Sequence, residues 1–260
     1  AVSFQQIEEK LKTEARRLLE SGEVSLVLAW GKGYDEKHPM PYVAKCPSDA
    51  DGIVFNEYCT HNPARYLVRY PRGTKIAVAV KAADSRAVVQ LIQEDKVKRR
   101  DLVILGIPVY GIKNPKTGEL IDGKTTCGLY NPVLYDVLIG EEVHGQPVSS
   151  PYAVLAEYEA MDRDARFAFW KKELDRCIRC YACRKACPMY HLTRFHHLAG
   201  RCIDCGECSR ACPVDIPLYL FHKKVAKDCE EMFGQAAGMS IEDKPVLVNF
   251  RMEDSDKILE

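Results

Sequence analysis

The chain has 260 residues, of which 47 % are hydrophobic and 28 % are charged, a balance typical of folded globular proteins. Its 37 basic and 37 acidic residues cancel, which argues against nucleic-acid binders and polybasic membrane anchors, because both depend on excess positive charge. No apolar run approaches the roughly 20 residues of a membrane-spanning helix, and the charged N-terminal stretch lacks the apolar core of a secretory signal. We therefore expect a cytoplasmic protein with no transmembrane segment.

The first 170 residues predict an α/β domain. An amphipathic helix comes first, because its apolar residues from Phe4 to Leu19 share one face. Strands are predicted at 24–30, 53–58, 75–81 and 101–109, and helices at 61–70 and 83–95. Near-continuous apolar strands that alternate with helices indicate a mostly parallel sheet. Residues 110–128 then predict a loop with a hairpin, and 131–140 resume an apolar pattern.

The junction between the strand at 75–81 and the following helix is a candidate anion site. Ligands of open parallel sheets bind beyond the carboxyl ends of the strands. Free N–H groups there, with Lys81, Ser85 and Arg86, can hold a cofactor phosphate. The alternative is simple helix capping by Asp84 or Ser85, with Arg86 paired to an acidic neighbour. Neither G-x-G-x-x-G nor a P-loop is present, so the sequence does not support a standard nucleotide site.

The cysteines follow a helix predicted over 151–175, in which Phe167, Phe169 and Trp170 are expected to pack the two parts of the chain together. Eight of the 12 cysteines fall between Cys177 and Cys212, and the others are scattered, at Cys46, Cys59, Cys127 and Cys229. Such concentration is typical of a metal site rather than of a disulfide framework.

Two short segments carry these eight cysteines. The first cysteine motif, residues 177–188, reads CIRCYACRKACP, and the second cysteine motif, residues 202–213, reads CIDCGECSRACP. Each is C-x2-C-x2-C-x3-C-P, the run that binds [4Fe–4S] clusters in bacterial ferredoxins. The x3 spacing predicts a short helix before the fourth Cys, and Pro188 and Pro213 then redirect the chain. The sequence therefore predicts a ferredoxin-like 2[4Fe–4S] domain after the α/β domain.

In this run the fourth Cys of each motif ligates the other cluster. That rule assigns Cys177, Cys180, Cys183 and Cys212 to cluster 1, and Cys202, Cys205, Cys208 and Cys187 to cluster 2. The alternative is a pair of zinc sites, although zinc modules usually separate two Cys pairs by a longer stretch. All eight thiolates are used, which favours electron relay over catalysis at an open iron.

Charged residues beside the motifs have two interpretations. Basic residues can offset cluster charge or form a solvated or docking face; they are Arg176, Arg179, Arg184, Lys185, Arg201 and Arg210. The histidines between the motifs are interpreted as ordinary surface or core residues rather than ligands; they are His191, His196 and His197.

Several segments together resemble the coenzyme F-420 hydrogenase/dehydrogenase beta-subunit family. They are AVKAADSRAVVQLIQEDKVKRRDLVILGIPVYGI, NPVLYDVLIG, RFAFWKKELDRCIRCYACRKACP and HLAGRCIDCGECSRACPVDIPL. The resemblance spans residues 24–225 and is greatest to two-cluster members found beside heterodisulfide-reductase-like and hydrogenase subunits. It implies an α/β domain that can hold FAD, with Asp84, Ser85 and Arg86 near the flavin.

The chain departs from that family at several cysteines. Members carry Cys where this chain has Ala83 and Val109, and a further Cys pair where it keeps only Cys127. We therefore expect no additional N-terminal cluster, and Cys127 is expected to be a small buried residue.

Three functions follow. The first is an electron-transfer subunit that passes electrons between a flavin or hydride carrier and a partner subunit of an anaerobic oxidoreductase complex. The second is an FAD-containing subunit that itself oxidises or reduces coenzyme F-420. The third is a docking subunit whose α/β domain has lost its cofactor. We divide the chain into an α/β domain (1–170), a cluster domain (171–225) and a C-terminal tail (226–260).

Overall fold

The computed structural model describes residues 2–122, 126–145, 151–190 and 199–244. Its strands are β1 (Leu26–Gly31), β2 (Met40–Ala44), β3 (Ile76–Val80), β4 (Leu102–Gly106), β5 (Gly111–Lys113), β6 (Leu120–Asp122) and β7 (Val137–Leu138). Five of them form one sheet in the order β2-β1-β3-β4-β7, and the β1–β2 pair is antiparallel while the other pairs are parallel. Strands β5 and β6 form the hairpin expected within 110–128.

Helices flank this sheet and fill the C-terminal part. The α-helices are α1 (Phe4–Glu20), α2 (Ala82–Gln93), α3 (Ala156–Ala160), α4 (Arg163–Asp175), α5 (Ala182–Ala186), α6 (Glu207–Arg210) and α7 (Leu218–Phe233). Short 3₁₀ helices lie at Pro47–Gly52, Pro63–Arg69, Arg99–Asp101 and Ala153–Leu155. Helix α1 begins with a capping box, because the Ser3 hydroxyl accepts from the Gln6 N–H and the Gln6 side chain accepts from the Ser3 N–H.

Each face of the sheet has its own hydrophobic core. Successive residues of a strand point to opposite faces, so Ala77 and Ala79 of β3 face α1 while Val78 and Val80 face α2. The small side chains of Ala77 and Ala79 allow the apolar face of α1 to pack closely on the sheet. Coverage of both faces explains why the central strands are apolar throughout.

The segments around the first 3₁₀ helices differ from the predicted elements. The strand expected at 53–58 is reduced to an isolated bridge between Ile53 and Gly31, after which the chain turns away. The helix expected at 61–70 is a 3₁₀ helix, Pro63–Arg69, which Asn62 caps by accepting from the Ala64 N–H at 3.0 Å. Such short 3₁₀ segments commonly serve as connectors.

The single helix predicted over 151–175 is instead a 3₁₀ turn followed by α3 and α4. Met161 is extended between the two helices, and the Asp162 side chain caps α4 by accepting from the Ala165 N–H at 2.8 Å. Aspartate favours this capping position over a helix interior, because its carboxylate competes for nearby backbone N–H groups.

The aromatic residues of α4 join the two parts of the chain only at the surface. No residue of α4 is buried, and Phe167 is 71 % exposed. Trp170 contacts Tyr158 of α3 and Phe221 of α7, with ring centroids 5.8 Å and 5.6 Å apart. The buried contact between the two parts lies in the core on the α2 face of the sheet, which includes Met189 and Ile203.

The predicted boundaries at residues 170 and 225 fall inside α4 and α7. Residues after 225 are also not simply a polar tail, because α7 continues to Phe233 and Ala237 is buried in the core on the α2 face. The division into separate domains stays a prediction. Residues 245–260 of the expected tail, and the histidines His191, His196 and His197, lie outside the described residues.

Candidate functional site

The two cysteine motifs have the same backbone. In the first, Arg179 and Tyr181 have positive φ, at 56° and 60°, and in the second, Asp204 and Gly206 do, at 56° and 71°. These are the same two positions of the repeat. Each loop of three cysteines then enters a short helix, α5 or α6, which carries the chain toward the fourth Cys. The predicted short helix before each fourth Cys is therefore present.

The fourth Cys of each motif lies near the three leading cysteines of the other motif. Burial raises the pKa of Cys183, and the neighbouring thiols of Cys212, Cys177 and Cys180 raise it further. Cys212 belongs to the second motif, so this group is the one assigned above to cluster 1.

The other group crosses over in the same way. Burial raises the pKa of Cys208, and the thiols of Cys202 and Cys187 add to that effect. Cys205 likewise has Cys187 of the first motif among the charges that act on it. All four of these thiols line a single cavity. The donor set is therefore four thiols around a common space, which fits a thiolate-ligated cluster.

The side chains of these groups are not spaced like the ligands of a single metal ion. Among the residues described, no three or more His, Cys, Asp or Glu side chains are arranged to hold one metal ion.

The two groups differ in exposure. Cys177 and Cys180 are exposed, and so are Ile178 and Tyr181 beside them. The second group lies deeper, and desolvation places the pKa of Cys202 and Cys205 well above that of an ordinary thiol. A metal that binds there must displace protons from these thiols, because the thiolate is the ligand.

Two side chains of the α/β part donate hydrogen bonds to the backbone of the two fourth cysteines. Arg65, in the 3₁₀ helix Pro63–Arg69, donates from Nη1 to the Cys187 carbonyl at 2.8 Å. Lys116, in the turn of the β5–β6 hairpin, donates from Nζ to the Cys212 carbonyl at 2.8 Å. Sequence reasoning missed both residues, because they lie about a hundred positions from the cysteines and carry no local motif.

The basic residues beside the motifs separate into two classes. Arg201 is buried and Arg210 is half-buried, and they pair with Glu94 and Glu207 respectively. Arg176 and Arg179, near the first motif, are exposed. The interpretation of all of them as one solvated face is therefore wrong for the second motif.

The candidate flavin residues are buried and engaged within the protein. Lys81, not Asp84 or Ser85, occupies the N-cap position of α2. Asp84 accepts from the Lys81 N–H at 3.1 Å and from its Nζ at 2.5 Å, and burial raises the pKa of this carboxyl despite the adjacent ammonium. The Ser85 hydroxyl donates to the Ala82 carbonyl at 2.7 Å and accepts from the Val133 N–H at 2.9 Å.

Arg86 is 3 % exposed and turns toward the second cysteine motif rather than toward solvent. Its Nε donates to the Ala237 carbonyl at 2.9 Å, and its Nη1 lies 3.9 Å from Asp204. Cys127 is also buried, as predicted, and it lies near the Arg86 side chain. These charged groups are already partnered within the protein, and Arg86 lies near an acidic residue, as the capping alternative expects.

A cavity does open at this edge of the sheet. Its lining includes Lys81 and Asp84 from the start of α2, Tyr110 after β4, and Cys205 and Arg210 of the second motif. The carboxyl edge of the parallel strands therefore faces the second cysteine motif directly.

Comparison with known proteins supports the identity of the motifs. The family model for a 4Fe-4S binding domain matches residues 174–190 and 199–215, so each cysteine motif is matched. The chain thus carries iron–sulfur binding motifs of the 4Fe-4S type.

One curated relative is the F420-dependent formate dehydrogenase 1 subunit beta of Methanococcus maripaludis. It is 30 % identical over 101 residues, which make up 38 % of this chain and 26 % of the relative. This chain therefore matches about a quarter of that relative's length.

One solved structure, of the F420-reducing [NiFe] hydrogenase complex from Methanosarcina barkeri, overlaps 42 % of each chain with 18 % identity and a TM-score of 0.32. That overlap is too loose to assign a fold. None of the helices described is long and apolar enough to cross a membrane. The sequence relationships confirm the predicted resemblance: this chain is similar to a beta subunit of an F420-dependent oxidoreductase and carries a 4Fe-4S binding domain.

Proposed function

We propose that this chain is the electron-transfer iron–sulfur subunit of a multi-subunit oxidoreductase, and that it holds two [4Fe–4S] clusters. The observation that carries the proposal is the crossed arrangement of the thiols, with Cys212 beside the first motif and Cys187 beside the second. Crossed ligation of two neighbouring clusters requires this arrangement. The relative from Methanococcus maripaludis, named as a subunit, supports the placement in a complex.

The protein's own residues define the two sites. Cys177, Cys180, Cys183 and Cys212 would hold one cluster, and Cys202, Cys205, Cys208 and Cys187 the other. Each cluster supplies a one-electron couple. Arg65 and Lys116 hold the two crossing cysteines by their carbonyls, and the buried apolar residues Met189 and Ile203 line the cavity of the deeper site. The chain offers these sites eight thiols, so no ligand position is left for substrate.

Iron and acid-labile sulfide analysis of anaerobically purified chain tests the proposal. We expect about eight of each per chain, and reduction by dithionite should bleach the broad visible absorption. A content of about four would reduce the proposal to one cluster. Zinc in place of iron would overturn it.

The second candidate is an FAD-containing subunit that acts on coenzyme F-420 or a similar hydride carrier. Two observations favour it: the cavity between the sheet edge and Cys205, and the name of the curated relative. Against it stand the internal contacts of Lys81, Asp84, Ser85 and Arg86. These contacts instead favour the third candidate, a docking subunit without flavin. Flavin bands in the visible spectrum of the purified chain would select the second candidate, and their absence would leave a relay or, if the clusters do not reduce, a docking subunit.

The partners that fit this proposal are hydrogenase-like or heterodisulfide-reductase-like subunits. Co-purification from the source organism, followed by mass spectrometry, identifies them. Recovery of the chain alone, with both clusters, would argue against membership of a complex.

A further inference from the structure

Helix α4 presents an apolar groove that nothing in the described structure covers. None of its 13 residues is buried. Phe167, Trp170 and Leu174 of α4 face Leu218 and Phe221 across a groove of about 550 Å³. Aromatic residues that remain this exposed on a protein surface commonly mark an interaction site.

This groove continues along the chain into the first cysteine motif. Leu174, at the end of the groove, precedes Cys177 by three positions. Ile178 and Tyr181 within the motif are 64 % and 56 % exposed, and the thiols of Cys177 and Cys180 are exposed beside them. Apolar side chains therefore lie beside the exposed thiols of the group assigned to cluster 1. We call the groove together with residues 177–181 the docking face.

The docking face is strongly basic although the chain as a whole is neutral. Residues 177–181 contribute Arg179, and no Asp or Glu belongs to the groove lining or to residues 177–181. The neighbouring acids Glu173 and Asp175 pair with Arg176 and Lys171 respectively. Arg163 and Arg166 line the groove, and among the described residues neither pairs with a carboxylate.

We propose that the docking face binds an acidic electron-transfer protein, which exchanges one electron with the cluster held by Cys177, Cys180, Cys183 and Cys212. This inference rests on the proposed function and adds the place and the chemistry of the partner. Aromatic residues and arginine are the types enriched at protein interfaces, and the unpaired Arg163 and Arg166 favour a partner of opposite charge. The exchange is balanced: the donor centre loses one electron, the acceptor centre gains it, and no bond or proton changes.

Electron transfer to two surrogate partners of opposite charge tests the charge selection. The full chain, reduced with dithionite, is mixed in a stopped-flow instrument with plastocyanin, an acidic copper protein, or with cytochrome c, a basic haem protein. Both accept one electron. We expect the second-order rate constant with plastocyanin to fall about tenfold between about 20 and about 200 mM salt, and that with cytochrome c to rise or stay level.

A charge-reversed variant locates the effect. Arg163→Glu with Arg166→Glu should lower the low-salt rate with plastocyanin about tenfold. Lys10→Glu with Lys32→Glu changes the net charge equally, but both residues lie on the α/β part, and the rate should change less than about twofold. Benzoquinone, a neutral acceptor, should oxidise all three proteins at the same rate. If the charge-reversed variant loses iron, Arg163→Gln with Arg166→Gln replaces it in the same measurement.

Several outcomes overturn the inference. Equal loss of rate in both charge-reversed variants would assign the effect to net charge alone. Identical salt dependence with both surrogates would remove the charge selection. Binding to vesicles of phosphatidylglycerol, lost in Arg163→Glu with Arg166→Glu and without any change in plastocyanin rate, would make the face a lipid-binding surface. A chain that dithionite does not bleach fails the proposed function at an earlier step, before any acceptor is added.

Discussion

The two cysteine motifs share one sequence pattern and one backbone, yet they occupy opposite environments. The first motif lies at the surface, where Cys177 and Cys180 are exposed. The second lies against the α/β part, where Ile203 belongs to the hydrophobic core and Glu207, which pairs with Arg210, is buried. The difference shows that the pattern fixes the spacing of the cysteines, while the surrounding elements decide which of the thiols are exposed to solvent and which lie near the sheet.

This asymmetry fits a relay with direction. The deeper site adjoins the cavity at the carboxyl edge of the sheet, and the shallower site adjoins the docking face. Five predictions test the contrast, beginning with the largest effect.

Removal of one ligand from each group should have unequal consequences. Cys180→Ser and Cys205→Ser should each lower the iron content from about eight to about four per chain. Only Cys205→Ser should also lower the thermal midpoint of the α/β part, because Met189 and Ile203 beside the deeper site belong to its core. Iron analysis measures the iron content, and tryptophan fluorescence on heating measures the thermal midpoint. Equal loss of stability in the two variants would contradict the contrast.

Ion pairs near the two motifs should differ in strength. Arg201 and Glu94 are 6 % and 13 % exposed, and Nη2 of Arg201 donates to Oε2 of Glu94 at 2.6 Å. Arg201→Met should cost about 3 kcal/mol, because it leaves a carboxylate desolvated without its partner. The control, Lys171→Met, breaks the exposed pair with Asp175 and should cost less than about 0.5 kcal/mol. Urea unfolding under anaerobic conditions measures both, and equal costs would show that Arg201 is solvated.

Low pH should lower the free energy of unfolding through a histidine beside the deeper group of thiols. His222 lines the same cavity as Cys202, and burial lowers its pKa to about 4. The unfolded chain therefore binds a proton that the folded chain does not, and the stability from this group is complete above about pH 6.5 and is lost as the pH falls toward 4. Between pH 7 and pH 5 we expect a loss of about 2 kcal/mol from this residue. His222→Leu should reduce that pH dependence in urea titrations; an unchanged slope would show that the pKa of His222 is the same in the folded and unfolded chains.

Thiol reactivity should follow the same division once the clusters are removed. With iodoacetamide at neutral pH, Cys177 and Cys180 should react at least about tenfold faster than Cys202 and Cys205, whose thiolate forms burial disfavours. Mass spectrometry of timed samples gives the rates.

Two other cysteines serve as internal standards for the iodoacetamide labelling. Exposed Cys46 should react early, and Cys59, whose pKa burial raises to about 12, should react last. Early labelling of Cys59 would reveal unfolding of the stripped chain. Equal rates at the two motifs with Cys59 still protected would contradict the difference in burial.

The smallest effect concerns the backbone. Tyr181 holds the left-handed conformation that Gly206 holds in the second motif, and its side chain is 56 % exposed. Tyr181→Gly should stabilise the chain by about 0.5–1 kcal/mol, because glycine adopts positive φ without a Cβ clash. The urea midpoint measures it, and Gly206→Ala, expected to destabilise, is the matched control. A lower midpoint for Tyr181→Gly would indicate that the ring makes contacts that outweigh the strain.

The local sequence was sufficient for several features. The apolar runs at 24–30, 75–81 and 101–109 predicted the central strands, because a strand buried on both faces must be apolar throughout. The cysteine spacing predicted two iron–sulfur motifs and their short helices, because ligand spacing and helix geometry are both local. The local sequence was less reliable for the ends of helices. Asp162 interrupts a predicted helix, and Lys81 takes the capping position expected for Asp84 or Ser85.

The sequence by itself determined the ligand chemistry and the parallel sheet. Only the tertiary structure decided that Arg65 and Lys116 hold the crossing cysteines, that Arg86 is turned inward, and that no described part of the chain covers α4. Spacing and periodicity act over a few residues, whereas these contacts join positions that lie tens to more than a hundred residues apart. Burial of a charge or exposure of a thiol depends on what packs against it, and folding alone brings those partners together.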